Sequence, residues 1–367
     1  MLLGTMVTAD DKPKDKQPTP KARFDALLEQ FHAVEEGLSK AQDAASSDEE
    51  RRKLREAAAP KFEKLLVRFV ELAQKHPRDP VAVDVAIQVI GYCNRSNTQS
   101  TSVKKAVELL TRYHVTSDRL GPLCKVLLSN HDKQTAVFLR AVLAKNPSKS
   151  IQAKACLALA QNLHQRGVDA RWLAENPASA GRYEERYGKE ITDALKKADA
   201  AGLAKESSDL LGVFADKYVK VIKAESLNGI LQRLGYWGDK GSKVLLRALL
   251  HHEATEVRGR AYLALAVRLK LESEASQDKD AEQAAKLRGE SEALFTRAVK
   301  DFADVRIPGE GDGTTVGAKA RAELYDLQYL ALGKAAPEVK GEDQDGKKFE
   351  LSDYKGKVVL LDFWKQF

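Results

Sequence analysis

Cysteine is scarce in this chain: three in 367 residues, at positions 93, 124 and 156, with no two in Cys-x-x-Cys spacing. That excludes the sequence signature of a redox dithiol or a four-cysteine zinc site within the helical sequence that contains them. Long apolar runs are also missing; no stretch approaches the roughly 18 residues that would span a bilayer. The net charge is +7, yet Lys and Arg are interleaved with Asp and Glu, as in Glu49-Glu-Arg-Arg-Lys-Leu-Arg-Glu56, which reads as solvated helix surface. No cluster mixes basic with aromatic residues, so stacking platforms for a nucleic acid are absent and nucleic-acid binding is not expected. No Ser/His/Asp or Cys/His arrangement stands out. The expected sets of catalytic, cofactor-binding and metal-binding residues, and of cofactors, are empty.

What the chain does have is helical periodicity. From about residue 21 to residue 333, apolar residues recur at i, i+3, i+4 and i+7, as in Phe62, Leu65, Leu66, Phe69 and Val70. Pro77, Pro80, Pro122, Pro147 and Pro177, with Gly167, Gly181, Gly202 and Gly238, are expected to punctuate helices of ordinary length. Cys93, Cys124 and Cys156 each sit in apolar helical sequence, where a thiol packs as a small hydrophobe; a bridge among the three is the alternative.

This body contains copies of itself. Val137-Phe-Leu-Arg-Ala-Val-Leu143 followed by Ala155-Cys-Leu-Ala-Leu-Ala160 matches Val244-Leu-Leu-Arg-Ala-Leu-Leu250 followed by Ala261-Tyr-Leu-Ala-Leu-Ala266, with a connecting turn one residue shorter. Downstream, Leu210, Leu211, Tyr218 and Val221 match Leu294, Phe295, Phe302 and Val305 at the same internal spacing. A weaker copy is expected to start at Lys75-His-Pro77, which parallels Lys145-Asn-Pro147. Helix pairs of this kind bury their apolar faces by stacking on neighbours, which predicts an α-solenoid-like layer of antiparallel helix pairs. Such a surface suits another protein as partner; its simpler role is to space a neighbouring domain.

The pattern changes after residue 333. Gly333-Lys-Ala-Ala-Pro-Glu-Val leads to Asp345-Gly346-Lys347, then Phe349-Glu-Leu-Ser-Asp-Tyr-Lys-Gly356, then Lys357-Val-Val-Leu-Leu-Asp-Phe-Trp364. Asp-Gly before Lys-Lys-Phe-Glu-Leu is hairpin-turn chemistry, and the apolar run from Val358 to Phe363 reads as a strand buried on both faces. Together, in this order and spacing, these pieces resemble the opening of the redoxin family, meaning the TlpA-type thiol-disulfide oxidoreductases and the related AhpC/TSA peroxiredoxins. The resemblance covers under a tenth of the chain. It implies a thioredoxin-like domain in which Phe-Trp is soon followed, in TlpA-type members, by Trp-Cys-x-x-Cys. Here Lys365, Gln366 and Phe367 follow Trp364. The expected fold is therefore mainly α: a helical-repeat body over residues 21–333 and an incomplete thioredoxin-like α/β fragment, a β-hairpin plus one strand, over 334–367. The fragment is expected to stop before its catalytic cysteines, leaving these 367 residues without thiol-disulfide or peroxidase activity. The resemblance leaves disulfide reductase and antioxidant peroxidase equally open. The alternative is a complete, non-enzymatic helical scaffold for protein–protein interaction.

Three smaller features complete the reading. Residues 1–20 are expected to be a signal-peptide remnant, on the small-x-small Val7-Thr-Ala9, or a disordered linker. The first implies an exported or periplasmic parent in the cell envelope, whereas a genuine start at Met1 implies the cytoplasm. His251-His252-Glu253 reads as a helix C-terminus where His charge is favourable, because adjacent helical residues point about 100° apart and do not share one ion. Pro308-Gly-Glu-Gly-Asp-Gly313-Thr-Thr-Val-Gly317 lacks the Gly-Lys-Ser/Thr ending of a phosphate loop and reads as a connector, with Thr314 or Thr315 capping the helix that follows.

Overall fold

The computed structural model describes residues 17–96, 100–127, 132–311, 313–330, 334–343 and 345–362. The expectations for residues 1–16, and for Phe363 and Trp364, fall outside the described residues. Among the described residues the chain is mainly helical, with a single small two-stranded sheet. The chain divides into two compact units, one through Ile222 and one from Lys223.

In the first unit, α1 (Pro20–Ala44) and α2 (Asp48–Lys75) form a hairpin, followed by α3 (Val81–Ser96), α4 (Thr101–Tyr113) and the short α5 (Gly121–Val126). Next come α6 (Lys133–Lys145), α7 (Lys149–Glu175), α8 (Ala180–Tyr187), α9 (Lys189–Lys196) and α10 (Ala200–Lys217). Ser, Thr or Asp caps α1, α2, α4, α6, α7 and α10 through a side-chain oxygen that accepts a first-turn N–H, which supplies orphan donors with partners and marks where each helix begins. One core gathers Phe24, Phe31, Phe62 and Phe69 from α1 and α2 against Val85 and Val89 of α3. A second joins Ile90, Leu110, Leu123, Phe138, Leu139 and Leu159 from α3 to α7. Each large apolar side chain buried in this way contributes roughly 1.5–3 kcal/mol.

In the second unit, α11 (Ala224–Leu227) and α12 (Leu231–Leu234) are single turns, followed by α13 (Lys240–Leu249), α14 (Thr255–Ser276), α15 (Ala281–Phe302) and α16 (Val316–Tyr325). Its core includes Leu263, Phe295, Phe302, Ile307 and Val316.

The internal repeat is visible in side-chain chemistry as well as in sequence. The Ser207 hydroxyl of α10 donates to the Ala160 carbonyl of α7 at 2.8 Å, and the Ser291 hydroxyl of α15 donates to the Ala266 carbonyl of α14 at 2.8 Å. One residue earlier on each helix, Glu206 accepts from both Nε and Nη2 of Arg140, at 2.9 and 2.8 Å, and Glu290 accepts from Arg247 at 3.0 Å. At the turn between paired helices, Asn146 Oδ1 accepts the Ser148 N–H and His252 Nδ1 accepts the Ala254 N–H. Gln152 and Arg258 then donate back to the carbonyls of Asn146 and His252. The match extends upstream, where Leu120, Leu123, Cys124 and Leu127 have buried counterparts in Leu227, Ile230, Leu231 and Leu234.

The serine–carbonyl bond spans 47 residues in the first copy and 25 in the second, so the first holds about 22 extra residues. These are the turn at Pro177–Ser179 with α8 and α9, pinned by the Tyr183 hydroxyl donating to Asp169 at 3.0 Å. The weaker third copy keeps the helix–turn–helix of α2 and α3 but not the Asn146 side-chain bonds. In its place, His114 Nε2 meets the Pro77 carbonyl at 2.8 Å.

One expected break is not a break: Gly167 lies inside α7, whereas Gly181 and Gly202 fall in the first turns of α8 and α10. Gly167 is needed for close approach instead of a turn: a Cβ there would stand 3.3 Å from the Ala200 carbonyl and 3.4 Å from Leu203 Cβ.

Candidate functional site

The candidate site is the C-terminal segment that carries the family resemblance, considered together with the three thiols. After α16 the chain makes a π-helical turn, Asp326–Leu330, and then the hairpin of β1 (Lys340–Glu342) and β2 (Lys348–Glu350). The strands pair antiparallel, with Gly341 opposite Phe349. The absence of a side chain at Gly341 lets the Phe349 ring lie across it; a Cβ would come within 2.9 Å of the ring edge. Asp345-Gly346 forms the turn as expected. Gly346 takes φ 77°, a left-handed conformation that glycine adopts without strain, and Asp343 Oδ1 accepts the N–H groups of Asp345 and Lys347.

The separate motifs hold one another. Glu338, from Ala-Pro-Glu, accepts the backbone N–H of Ser352, from Leu-Ser-Asp-Tyr, at 3.0 Å. Hydrogen bonds from the Ser352 side chain and backbone hold the Glu338 carboxyl below the usual carboxylate range. Asp353 accepts the Glu350 N–H in a capping box that starts the 3-10 turn Leu351–Tyr354. Leu351 N–H donates to the Val339 carbonyl at 2.9 Å. The fixed spacing between these motifs therefore has a physical basis: each supplies the other's hydrogen-bond partner.

Beyond Gly356, also at positive φ, the structure departs from expectation. Residues 358–361 pair with no strand, and Val358 and Leu360 are 104% and 91% exposed. A run with the composition of a two-face-buried strand has, among the described residues, neither a ladder partner nor a covering layer.

The thiols are closed off. Cys93, Cys124 and Cys156 are free and buried, in α3, α5 and α7. Burial pushes each thiol up to about 12, so at pH 7 only about one molecule in 10⁵ carries a given thiolate, the form that does redox chemistry. Packing, and not a bridge, is the arrangement found.

His251 and His252 follow the end of α13. His252 is buried, and its Nδ1 accepts the Ala254 N–H at 3.1 Å. The glycine-rich connector is tied by backbone bonds from Ile307 to Thr314 and from Val316 to Val305, and Thr315 caps α16 by accepting the Ala318 N–H at 3.2 Å. No helix of the described residues is long and apolar enough to cross a membrane. No group of three or more His, Cys, Asp or Glu among the described residues is placed to hold a metal ion.

Sequence reasoning missed the buried serine–carbonyl bonds and the Glu338–Ser352 link. The Glu-Ser dipeptides at 206–207 and 290–291, repeated at matching positions, were the available signal for the first.

No protein-family model matches the chain, and no solved structure matches it. Over 39 residues it is 49% identical to proteins described as thiol-disulfide oxidoreductase ResA from Bacillus thuringiensis, Bacillus cereus and Bacillus anthracis. The match covers 11% of this chain and 22% of each relative. The chain thus spans about a fifth of the length of the curated relatives it matches, and its likeness to a thiol-disulfide oxidoreductase is short and partial.

Proposed function

We propose that residues 334–367 are the opening segment of a thioredoxin-like, redoxin-family fold, of the TlpA type or its AhpC/TSA relatives, carried behind a helical-repeat body, and that the 367 residues do no thiol-disulfide chemistry themselves. The observation that carries this is that Leu-Ser-Asp-Tyr donates to Ala-Pro-Glu-Val, through Ser352 N–H to Glu338 and Leu351 N–H to the Val339 carbonyl, across a hairpin closed by the Asp345-Gly346 turn. We infer that the 39-residue likeness to ResA includes this segment. The exposed, unpaired residues 358–361 support the same reading, since an apolar run of this composition is suited to the interior of a sheet. An exported location for the parent belongs to this proposal and rests on Val7-Thr-Ala9.

A chimaera tests it. A ResA-type domain whose own opening segment is replaced by residues 335–362 is expected to fold and to reduce insulin at a rate near the parent domain's. An unfolded chimaera would refute the assignment.

A second reading, a helical scaffold for another protein, is favoured by Val137 and Val244. These occupy the same position in the two copies and are 46% and 42% exposed. Each lies one turn from the arginine that pairs with Glu206 or Glu290. Packing within the chain does not require an exposed valine in both copies, whereas a surface used by a partner does.

A further inference from the structure

Arg260 of α14 is a buried cation without a paired carboxylate. It is 3% exposed, and its guanidinium forms no ion pair among the described residues; Nε donates to the Glu256 carbonyl at 2.9 Å and Nη1 to the Asn228 side chain at 2.7 Å. Burial pushes the Arg260 guanidinium below the ordinary arginine range, as expected of a charge taken from water with little to offset it. The first copy also puts a cation here: Lys154 Nζ lies 3.1 Å from where a Cβ on Gly121 would stand. Gly121 and Asn228 are matching positions of the two copies, so the amide that meets the cation is peculiar to the second.

Asn228 is followed by Gly229, and Asn-Gly occurs nowhere else in the chain. In this dipeptide the backbone nitrogen of the glycine can attack the asparagine Cγ, because no Cβ on the second residue blocks the approach. Gly229 is exposed, a Cβ there would meet no atom within 4 Å, and its N–H makes no hydrogen bond among the described residues. Ring closure requires ψ of Asn228 to leave its helical value of −32°. Little resists this, since α11 is a single turn whose cap bond, from the Asn228 N–H to the Glu225 carbonyl, spans 3.5 Å. Because a guanidinium only donates, the atom of Asn228 that faces Arg260 is Oδ1, the oxygen on which negative charge develops during attack at Cγ.

We propose that Asn228 is a self-modifying residue: it loses its side-chain amide through attack by its own Gly229, Arg260 serves as donor to the oxyanion, and the carboxylate formed pairs with Arg260. In the first step the Gly229 nitrogen gives its proton to water and bonds to Cγ, the Cγ–Nδ2 bond breaks, and the departing nitrogen takes up a proton and leaves as ammonia. A succinimide ring results. In the second step water adds at Cγ, the bond from Cγ to the Gly229 nitrogen breaks, that nitrogen regains a proton, and an aspartate is left. One water is consumed and one ammonia released. With the donor on the Cγ oxygen, opening at Cγ is favoured over opening at the α-carbonyl, which gives isoaspartate. The site lies within the second unit, away from the C-terminal segment, and is independent of the redoxin reading.

Incubation of the full chain at 37 °C and pH 8, with every asparagine-containing peptide followed by mass spectrometry, tests the proposal. Conversion is expected at Asn228 ahead of every other asparagine, with aspartate exceeding isoaspartate. Gly229→Ala, whose Cβ enters open space, is expected to fold and to slow conversion about tenfold. Arg260→Met removes a hydrogen bond from a charged donor; it is expected to slow conversion about ten- to a hundredfold and to shift the product toward isoaspartate. Asn228→Asp installs the product directly and is expected to raise the melting midpoint by about 2–4 °C. Should Arg260→Met fail to fold, Gly229→Ala and Asn228→Asp carry the test without touching the buried arginine. Conversion at Asn228 that is absent or no faster than at the other asparagines would overturn the proposal. So would conversion of folded Arg260→Met at the parent rate and product ratio, undiminished conversion by Gly229→Ala, or a lower midpoint for Asn228→Asp.

Discussion

Removal of residues 335–367 should leave the helical fold almost untouched. Among the described residues of this segment no side chain is buried, and the hydrogen bonds that organise it, from Ser352 to Glu338, Leu351 to Val339 and Glu350 to Asp353, stay within it. The core of the second unit draws on Leu263, Phe295, Phe302 and Val316, and Leu327 is its last buried contributor. The cost of truncation is therefore the loss of a few exposed contacts, about 1 kcal/mol or less. For a folding unit of this size, 1 kcal/mol shifts the midpoint by about 2–4 °C. Thermal melting followed by circular dichroism at the helical minimum, on full-length and truncated chains side by side, measures this directly. A midpoint within about 3 °C of the full chain is expected, with no loss of helical amplitude beyond the residues removed. A drop of more than about 6 °C would refute the reasoning, because it would require buried contacts that the described residues of the segment do not make.

Other consequences follow from the same geometry. Ser207→Ala and Ser291→Ala each remove one buried hydroxyl-to-carbonyl bond and should cost about 1 kcal/mol apiece; urea unfolding of the double variant should show the sum within about 0.5 kcal/mol. Gly317→Ala places a Cβ 2.6 Å from Ala303 Cα and 2.8 Å from its carbonyl oxygen, so helix α16 must shift. A loss of about 2–4 kcal/mol is expected, and a neutral result would show that the backbone there yields. The three thiols should resist a disulfide reagent in the native state at pH 8 and all react in denaturant. Because their folded values, near 12, lie above the unfolded value near 8.5, the stability they contribute is complete below about pH 8.5 and declines as pH rises toward 12. Between pH 8 and 10 the wild-type chain should lose more stability than a triple Cys→Ala variant, by of order 1–2 kcal/mol per thiol; parallel losses would contradict the burial argument.

The helical class was legible because its signal is repeated along the body: apolar spacing and proline punctuation. The duplication was legible from Val137–Leu143 against Val244–Leu250 because Phe138, Leu139 and Val142 are buried in one copy and Leu245, Leu246 and Leu249 in the other. Its polar fastening was not, since nothing in an isolated Glu-Ser dipeptide says that the hydroxyl reaches a carbonyl of another helix. Gly167 misled for a related reason. A glycine reads as a break when only local propensity is weighed, whereas at Gly167 the close approach of α10 demands the missing Cβ. His252 was legible as a helix end from its neighbours, whereas its burial and its bond from the Ala254 N–H were not. In the C-terminal segment the Asp-Gly turn was legible because its chemistry is local. The run from Val358 carried the composition of a buried strand, yet burial depends on partners that composition does not supply.

The central claim is that the chain's own sulfur is structural and that its redox resemblance resides in a segment without a nucleophile of its own. The direct measurement is insulin reduction in the presence of dithiothreitol by the 367-residue chain and by its Cys93→Ala, Cys124→Ala and Cys156→Ala variants. The account predicts the rate of dithiothreitol alone for all four proteins. A rate well above that background in the parent chain, lost in any one of the variants, would contradict it.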